Sequence, residues 1–176
     1  MMRCSRSVAW CKPPAGWCKL NFDGAVSKSS SMATCGGVLR DADRRWIMGY
    51  TKRLGVCSVL DSELWGLFEG LLSAWSLHIR YLLVETNSLE AYRIITEPSA
   101  ACGGSTLVPY ILELISRPWE VRLSHVRRNE NALADHMAKM ALASDFIVHK
   151  YLDLPLDCLG LIEEEATGEA VTVVLC

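Results

Sequence analysis

From residue 17 the chain alternates. Cys18, Leu20 and Phe22 fall on one side of an extended backbone and Lys19, Asn21 and Asp23 on the other, the period of two that a strand imposes. This predicts a first strand over residues 17–26. A serine-rich turn at 27–31 leads to a second strand over 32–40, with Gly36 and Gly37 inside it, and a tight turn at 41–44 leads to a third over 45–54. Three strands joined by short turns read as an antiparallel meander. The period then changes. Leu64, Leu67, Phe68, Leu71, Leu72 and Trp75 recur at the spacing of an amphipathic helix. A short apolar run at 79–86 reads as a buried strand and 88–97 as a helix stopped by Pro98. A loop at 100–105, a helix at 107–116, a fifth strand at 119–126 and an alanine-rich helix at 130–144 follow. The order β-β-β-α-β-α-α-β-α implies an α/β fold: a mixed five-strand sheet, three antiparallel strands then β-α-β units, flanked by helices.

Composition fixes the frame around this unit. The 176 residues are 51% hydrophobic and 22% charged, enough apolar material for one cored domain over 17–145. Residues 1–16 read as a leader or linker punctuated by Pro13, Pro14 and Gly16. Residues 146–176 read as an acidic, extended or weakly ordered tail, holding six acids and one lysine. Residues 1–145 then carry 14 acids and 17 Lys or Arg, a net of +3 inside a chain of net −2. A mildly basic body suits a phosphate-backbone partner without demanding one. No apolar run is long enough for a membrane span and no apolar stretch follows the basic residues near Met1, so an unsecreted, intracellular protein, nuclear or cytoplasmic, is expected. Eight cysteines include no C-x-x-C pair and read as reduced thiols rather than a zinc site.

Candidate chemistry lies in an ordered set of acids. Asp23 lies in or at the end of the first strand, Glu63 in the first turn of the first long helix and Asp135 on the last helix. Asn87 ends the fourth strand. Hydrolysis of a phosphodiester needs an activated water and relief of charge on the leaving oxygen, and two Mg²⁺ ions roughly 4 Å apart supply both. Such ions take convergent carboxylate oxygens. Glu63 shares a helix face with Gly66, Gly70 and Ala74, and Ala134 and Ala138 flank Asp135, so small residues let each helix lie close to a neighbour. Each residue has a plainer explanation. Asp23-Gly24 suits a turn, Glu63 suits a helix dipole, and Asp135 suits a pair with Lys139. Asn87 with Glu90 has the spacing of a helix capping box.

Taken jointly, Leu20-Asn21-Phe22-Asp23-Gly24-Ala25, Gly36 to Asp41, Glu63-Leu64-Trp65-Gly66-Leu67, Glu85-Thr86-Asn87-Ser88 and His125 through Asn131 to Asp135 resemble the ribonuclease H family. The likeness is to its plant domain related to non-LTR retrotransposon polyproteins. It covers roughly residues 17–143 and implies the ribonuclease H-like fold. It implies metal ligands at Asp23, Glu63 and Asp135, with Mg²⁺ as cofactor or Mn²⁺ in its place, and it sets Asn87 where the family has a further acid. His125, ten residues before Asp135, matches a family histidine thought to move protons or release product. Gly24, Ser88, Arg127, Arg128 and Asn131 are the implied substrate contacts. The implied activity is hydrolysis of the RNA strand of an RNA–DNA hybrid by a monomeric domain with no membrane partner.

Asn87 divides the functional readings. An amide offers one neutral oxygen where a carboxylate offers two and a charge, so a cation site is weakened. Glu85, two residues earlier on the same strand face, is a candidate substitute displaced by roughly 6.6 Å. A domain that binds nucleic acid without cutting it is the alternative, and a protein-interaction domain using the acidic tail is a third. A sugar-cleaving carboxylate pair finds no aromatic cleft at 8% aromatics. An aspartic protease would need an Asp-Thr/Ser-Gly pattern that Asp23-Gly24-Ala25 lacks.

Overall fold

The computed structural model describes residues 10–97, 105–141 and 145–173, with side chains described to 167. The expected loop at 100–105 lies almost wholly outside the described residues, as do the first nine residues of the expected leader and the last three of the expected 130–144 helix. Strands β1 (Cys18–Val26), β2 (Met32–Arg40) and β3 (Trp46–Val56) form the meander, with Phe22 opposite Gly37 and Asp23 opposite Gly36. Helix α1 (Val59–Ser76) leads to β4 (Tyr81–Thr86), which runs parallel to β1. Helices α2 (Leu89–Thr96) and α3 (Val108–Ser116) precede β5 (Glu120–His125), parallel to β4. A 3-10 turn, Arg128–Asn131, opens into α4 (Ala132–Met140). The element order and mixed sheet follow the α/β reading.

The sheet has six strands, ordered β5-β4-β1-β2-β3-β6, rather than five. The sixth, β6 (Val148–Tyr151), comes from the segment expected to be a weakly ordered tail, and helix α5 (Leu159–Val173) follows it. That expectation fails for a physical reason. β6 gains order by pairing with the free edge of β3, and Leu161 and Ile162 of α5 pack on the cluster of Val38, Leu133, Met137 and Cys158. Glu165, inside the acidic run, reaches the buried Arg40 at 2.5 Å. The leader reading is corrected at Trp10. Trp10 is buried, with Arg40 stacked on its ring at 3.7 Å.

Alternation on β1 has two buried faces rather than one. Leu20 and Phe22 join Leu39, Tyr50, Leu64, Leu67 and Leu71 in the main core under α1. Lys19, Asn21 and Asp23, on the opposite face, are 3%, 1% and 5% exposed, because α4 and the segment at Trp10 cover them. Both helices come in over glycines. A Cβ at Gly24 would lie 2.5 Å from the Glu63 backbone nitrogen, and one at Gly36 would lie 2.5 Å from that of Ala138. Among the described residues no helix is long and apolar enough to cross a membrane.

Candidate active site

Asp23 stands on β1 and Glu63 on α1, and both are buried. Helix α1 starts at Val59, capped by Ser58, so Glu63 sits one turn deeper than the first-turn position expected for it. The helix dipole is therefore not what holds it. Gly24 N–H donates to Asp23 Oδ1 at 3.0 Å and to Glu63 Oε2 at 3.1 Å, tying the two carboxyls to one backbone donor. Burial pushes the Asp23 carboxyl up to about 6, with the Asp135 charge adding to it against a hydrogen bond from Glu63. Burial, and then the charge of Asp23, pushes Glu63 up to about 9. Neither acid has a cationic partner among the described residues.

Asp135, in the first turn of α4, is close enough to bear on both acids. Its Oδ2 holds Lys139 Nζ at 2.6 Å, so the plain helix-pair reading of this residue is also realised. Among the described residues, no three His, Cys, Asp or Glu side chains are gathered into a ready metal cage. The tight part of the site is the Asp23–Glu63 pair, with Asp135 standing off.

Asn87 follows β4, whose pairing with β1 runs as far as Asn21 with Glu85, and Asn131 holds it near Phe22, the residue before Asp23. The capping-box reading of Asn87 is overturned. Ser88 caps α2, its Oγ accepting from Ala91 N–H at 3.2 Å. Asn87 Oδ1 instead accepts from Asn131 Nδ2 at 2.7 Å, and the same nitrogen donates to the Phe22 carbonyl at 2.8 Å. Asn131 Oδ1 accepts from Asn21 Nδ2 at 3.1 Å, which also donates to Glu85 Oε2 at 3.1 Å. Asn21 Oδ1 accepts from the Trp10 indole N–H at 2.7 Å. Glu85 is further held by Lys19 Nζ at 2.5 Å. It is spent there and does not stand in for the missing acid.

The remaining candidates divide. His125 ends β5, exposed, with Nε2 3.3 Å from the Asn87 carbonyl oxygen and its ring 6.3 Å from that of Tyr92. Ser88 is occupied as a cap, and Gly24 as donor to the acid pair. Arg127 and Arg128 present exposed side chains, while the Arg127 backbone N–H is held by Glu130 at 2.8 Å. Asn131, expected to meet substrate, is 1% exposed, and both its amide hydrogens are used internally. Asn21 and Trp10 escaped the sequence reading. An amide on the polar face two residues before Asp23 was the available signal for Asn21. Nothing local marked Trp10.

Three comparisons bear on this arrangement. The reverse transcriptase-like family profile matches residues 21–141. A protein of Arabidopsis thaliana, provisionally named a ribonuclease H protein, is 33% identical over 167 residues, which is 94% of this chain. The chain spans 27% of that relative's length. Among solved structures, the RNase H1 of the halophilic archaeon Halobacterium salinarum superposes with a TM-score of 0.63 at 22% identity, covering 72% of this chain and 97% of the other. LC11-RNase H1, solved in complex with an RNA/DNA hybrid, gives 0.64 at 17% identity, covering 71% and 96%. The N-terminal RNase H domain of a Mycobacterium tuberculosis protein gives 0.63 at 20% identity, covering 72% and 93%. At these identities the structures speak to the fold.

Proposed function

The chain belongs to the reverse transcriptase-like family of ribonuclease H-type domains, and from that premise we propose that it binds RNA–DNA hybrids and hydrolyses their RNA strand at Asp23 and Glu63. One observation carries this reading. Two buried carboxyls share a single backbone donor, with burial first and like charge after it pressing both pKa values upward, and no cationic side chain pairs with them among the described residues. A corner of hard oxygen donors with unrelieved negative charge fits Mg²⁺ or Mn²⁺. Asp23 and Glu63 would hold it and Asp135 would complete the set on leaving Lys139. The ion supplies charge relief at the phosphate and lowers the pKa of water.

The protein's own groups do the rest. Gly24 N–H fixes both carboxyls in register with β1 and α1. Arg127 and Arg128, exposed at the mouth of α4, meet backbone phosphates. The imidazole of His125, 3.3 Å from the Asn87 backbone carbonyl oxygen, would carry a proton at the rim of the site. Intracellular action by a single domain follows from the same reading. The second reading, a domain that binds hybrid without cutting it, is favoured by one residue, the amide at Asn87.

A labelled hybrid incubated with Mg²⁺ or Mn²⁺ tests the proposal, with the natural chain, Asn87→Asp and Asp23→Asn side by side. Cleavage by the natural chain, abolished in Asp23→Asn, is the expected result. Cleavage by Asn87→Asp alone makes the natural chain a binding relative with a disabled site. No cleavage by any form, with Asn87→Asp well folded, sinks the hydrolytic reading.

A further inference from the structure

The hydrogen-bond chain through Asn21, Asn131 and Asn87 has no freedom in its direction. Amide oxygen and nitrogen are told apart by their partners, and here three partners have a single sense. The Trp10 indole N–H only donates, while the Glu85 carboxylate and the Phe22 carbonyl only accept. Trp10 therefore fixes Asn21 with its oxygen outward to the indole and its nitrogen toward Glu85. The second hydrogen of that nitrogen meets Asn131 Oδ1. Asn131 Nδ2 is then set toward Phe22 O, and its second hydrogen requires an acceptor at Asn87. The side-chain oxygen of Asn87 is thereby turned toward Asn131, and its NH2 faces away from it.

We infer that Trp10, Asn21 and Asn131 lock Asn87 with its oxygen held on Asn131 and its N–H donors free for the site, and that Asn87 binds an acceptor oxygen of the substrate strand instead of a cation. The inference rests on the hybrid-binding reading above and refines it. Among the described residues no acceptor takes the Asn87 Nδ2 hydrogens, and Asn131 holds Asn87 near Phe22, the residue before Asp23, where the scissile strand would lie. The amide is then a change of role and more than a weakened ligand: an acceptor position has become a donor position. Trp10, Asn21 and Asn131 are positioning residues that act through Asn87.

Two affinities separate this from the alternative. Binding of a labelled RNA–DNA hybrid would be read by anisotropy without divalent cation, and Mn²⁺ binding by calorimetry without nucleic acid. Asn87→Ala is expected to weaken hybrid binding about tenfold, the worth of one hydrogen bond to a charged oxygen, and to leave Mn²⁺ affinity within about twofold. Asn87→Asp keeps an oxygen for Asn131, so it holds the fold while replacing the donor. It should weaken cation-free hybrid binding and tighten Mn²⁺ binding. Trp10→Phe keeps a ring under Arg40 but removes the indole donor. It should speed hydrogen exchange at the Asn21 and Asn131 side-chain amides and lower hybrid affinity from a distance. If Asn87→Ala loses Mn²⁺ affinity about tenfold while hybrid binding stands, the amide oxygen is a cation ligand and the donor role is overturned. If Trp10→Phe changes neither exchange nor hybrid affinity, the positioning role falls. A natural chain that binds neither hybrid nor Mn²⁺ overturns the parent reading, and this one with it.

Discussion

At Gly24 a single backbone N–H lies within reach of two carboxyl groups, and the consequences of that crowding are measurable without any substrate. Asp23 and Glu63 hold their protons to about 6 and about 9, against ordinary values of 3.8 and 4.5. Above the ordinary values the unfolded chain has released protons that the folded chain still binds. Stability must therefore fall as pH rises, until the folded values are passed. In cation-free buffer the urea midpoint should decline between about pH 5 and about pH 9, by an amount worth more than about 1 kcal/mol. Glu63→Gln should flatten most of that slope, and millimolar Mg²⁺ should offset it at the alkaline end. A midpoint that rises with pH would refute the account. At this scale the sequence told much about the acids, since each occupies a distinct element. It told little about the amides, because an asparagine's oxygen and nitrogen are sorted by partners that lie far along the chain. Asn21 and Asn131 are 110 residues apart.

Helices α1 and α4 close on β1 and β2 from opposite faces, and each closes over a glycine. A Cβ at Gly36 would lie 2.5 Å from the backbone nitrogen of Ala138 and 2.7 Å from the Met137 carbonyl carbon. Backbone cannot step aside as a side-chain tip can. Gly36→Ala should lower stability by about 1–3 kcal/mol. It should also weaken Mn²⁺ binding, since α4 carries Asp135. Gly160→Ala, with nothing within 4 Å of the added carbon, is the matched control and should leave stability unchanged or raised by about 0.5–1 kcal/mol. Equal losses in the two variants, read from denaturant midpoints, would mean that close approach is not the cause. The elements that sequence periodicity revealed are those with a long apolar repeat: the three-strand meander and α1, with Gly66 and Gly70 along its docking face. β6 was hidden because four residues carry no period worth reading, and it exists by pairing with β3. Helix α4 starts at Ala132 because the preceding 3-10 turn, closed by Glu130 on Arg127 N–H, brings Asn131 under the sheet first.

Two segments that the sequence placed outside the domain meet at one guanidinium. Arg40, 2% exposed on β2, lies over the Trp10 ring and pairs with Glu165 of α5, while its Nε and Nη2 have no hydrogen-bond partner among the described residues. Burial lowers its pKa and the Glu165 charge works against that. Removing the carboxylate leaves a buried charge alone, so Glu165→Ala should cost about 3–5 kcal/mol. The double change Arg40→Met with Glu165→Leu should recover most of that loss, because it removes both charges and keeps the volume. Thermal or urea unfolding of the three proteins decides it, and a double variant as weak as the single would show that the pair is needed for more than neutrality. No periodic signal announces such a contact, which hangs on one acid in a run of three. That is why the ends of the folded unit were misjudged while its centre was not. The order of synthesis gives the same pair another meaning. Arg40 precedes Glu165 by 125 residues, and strands β3 to β6 are made in the interval. The nascent sheet is thus assembled around a cation still waiting for its counter-charge, which α5, rather than β6, supplies.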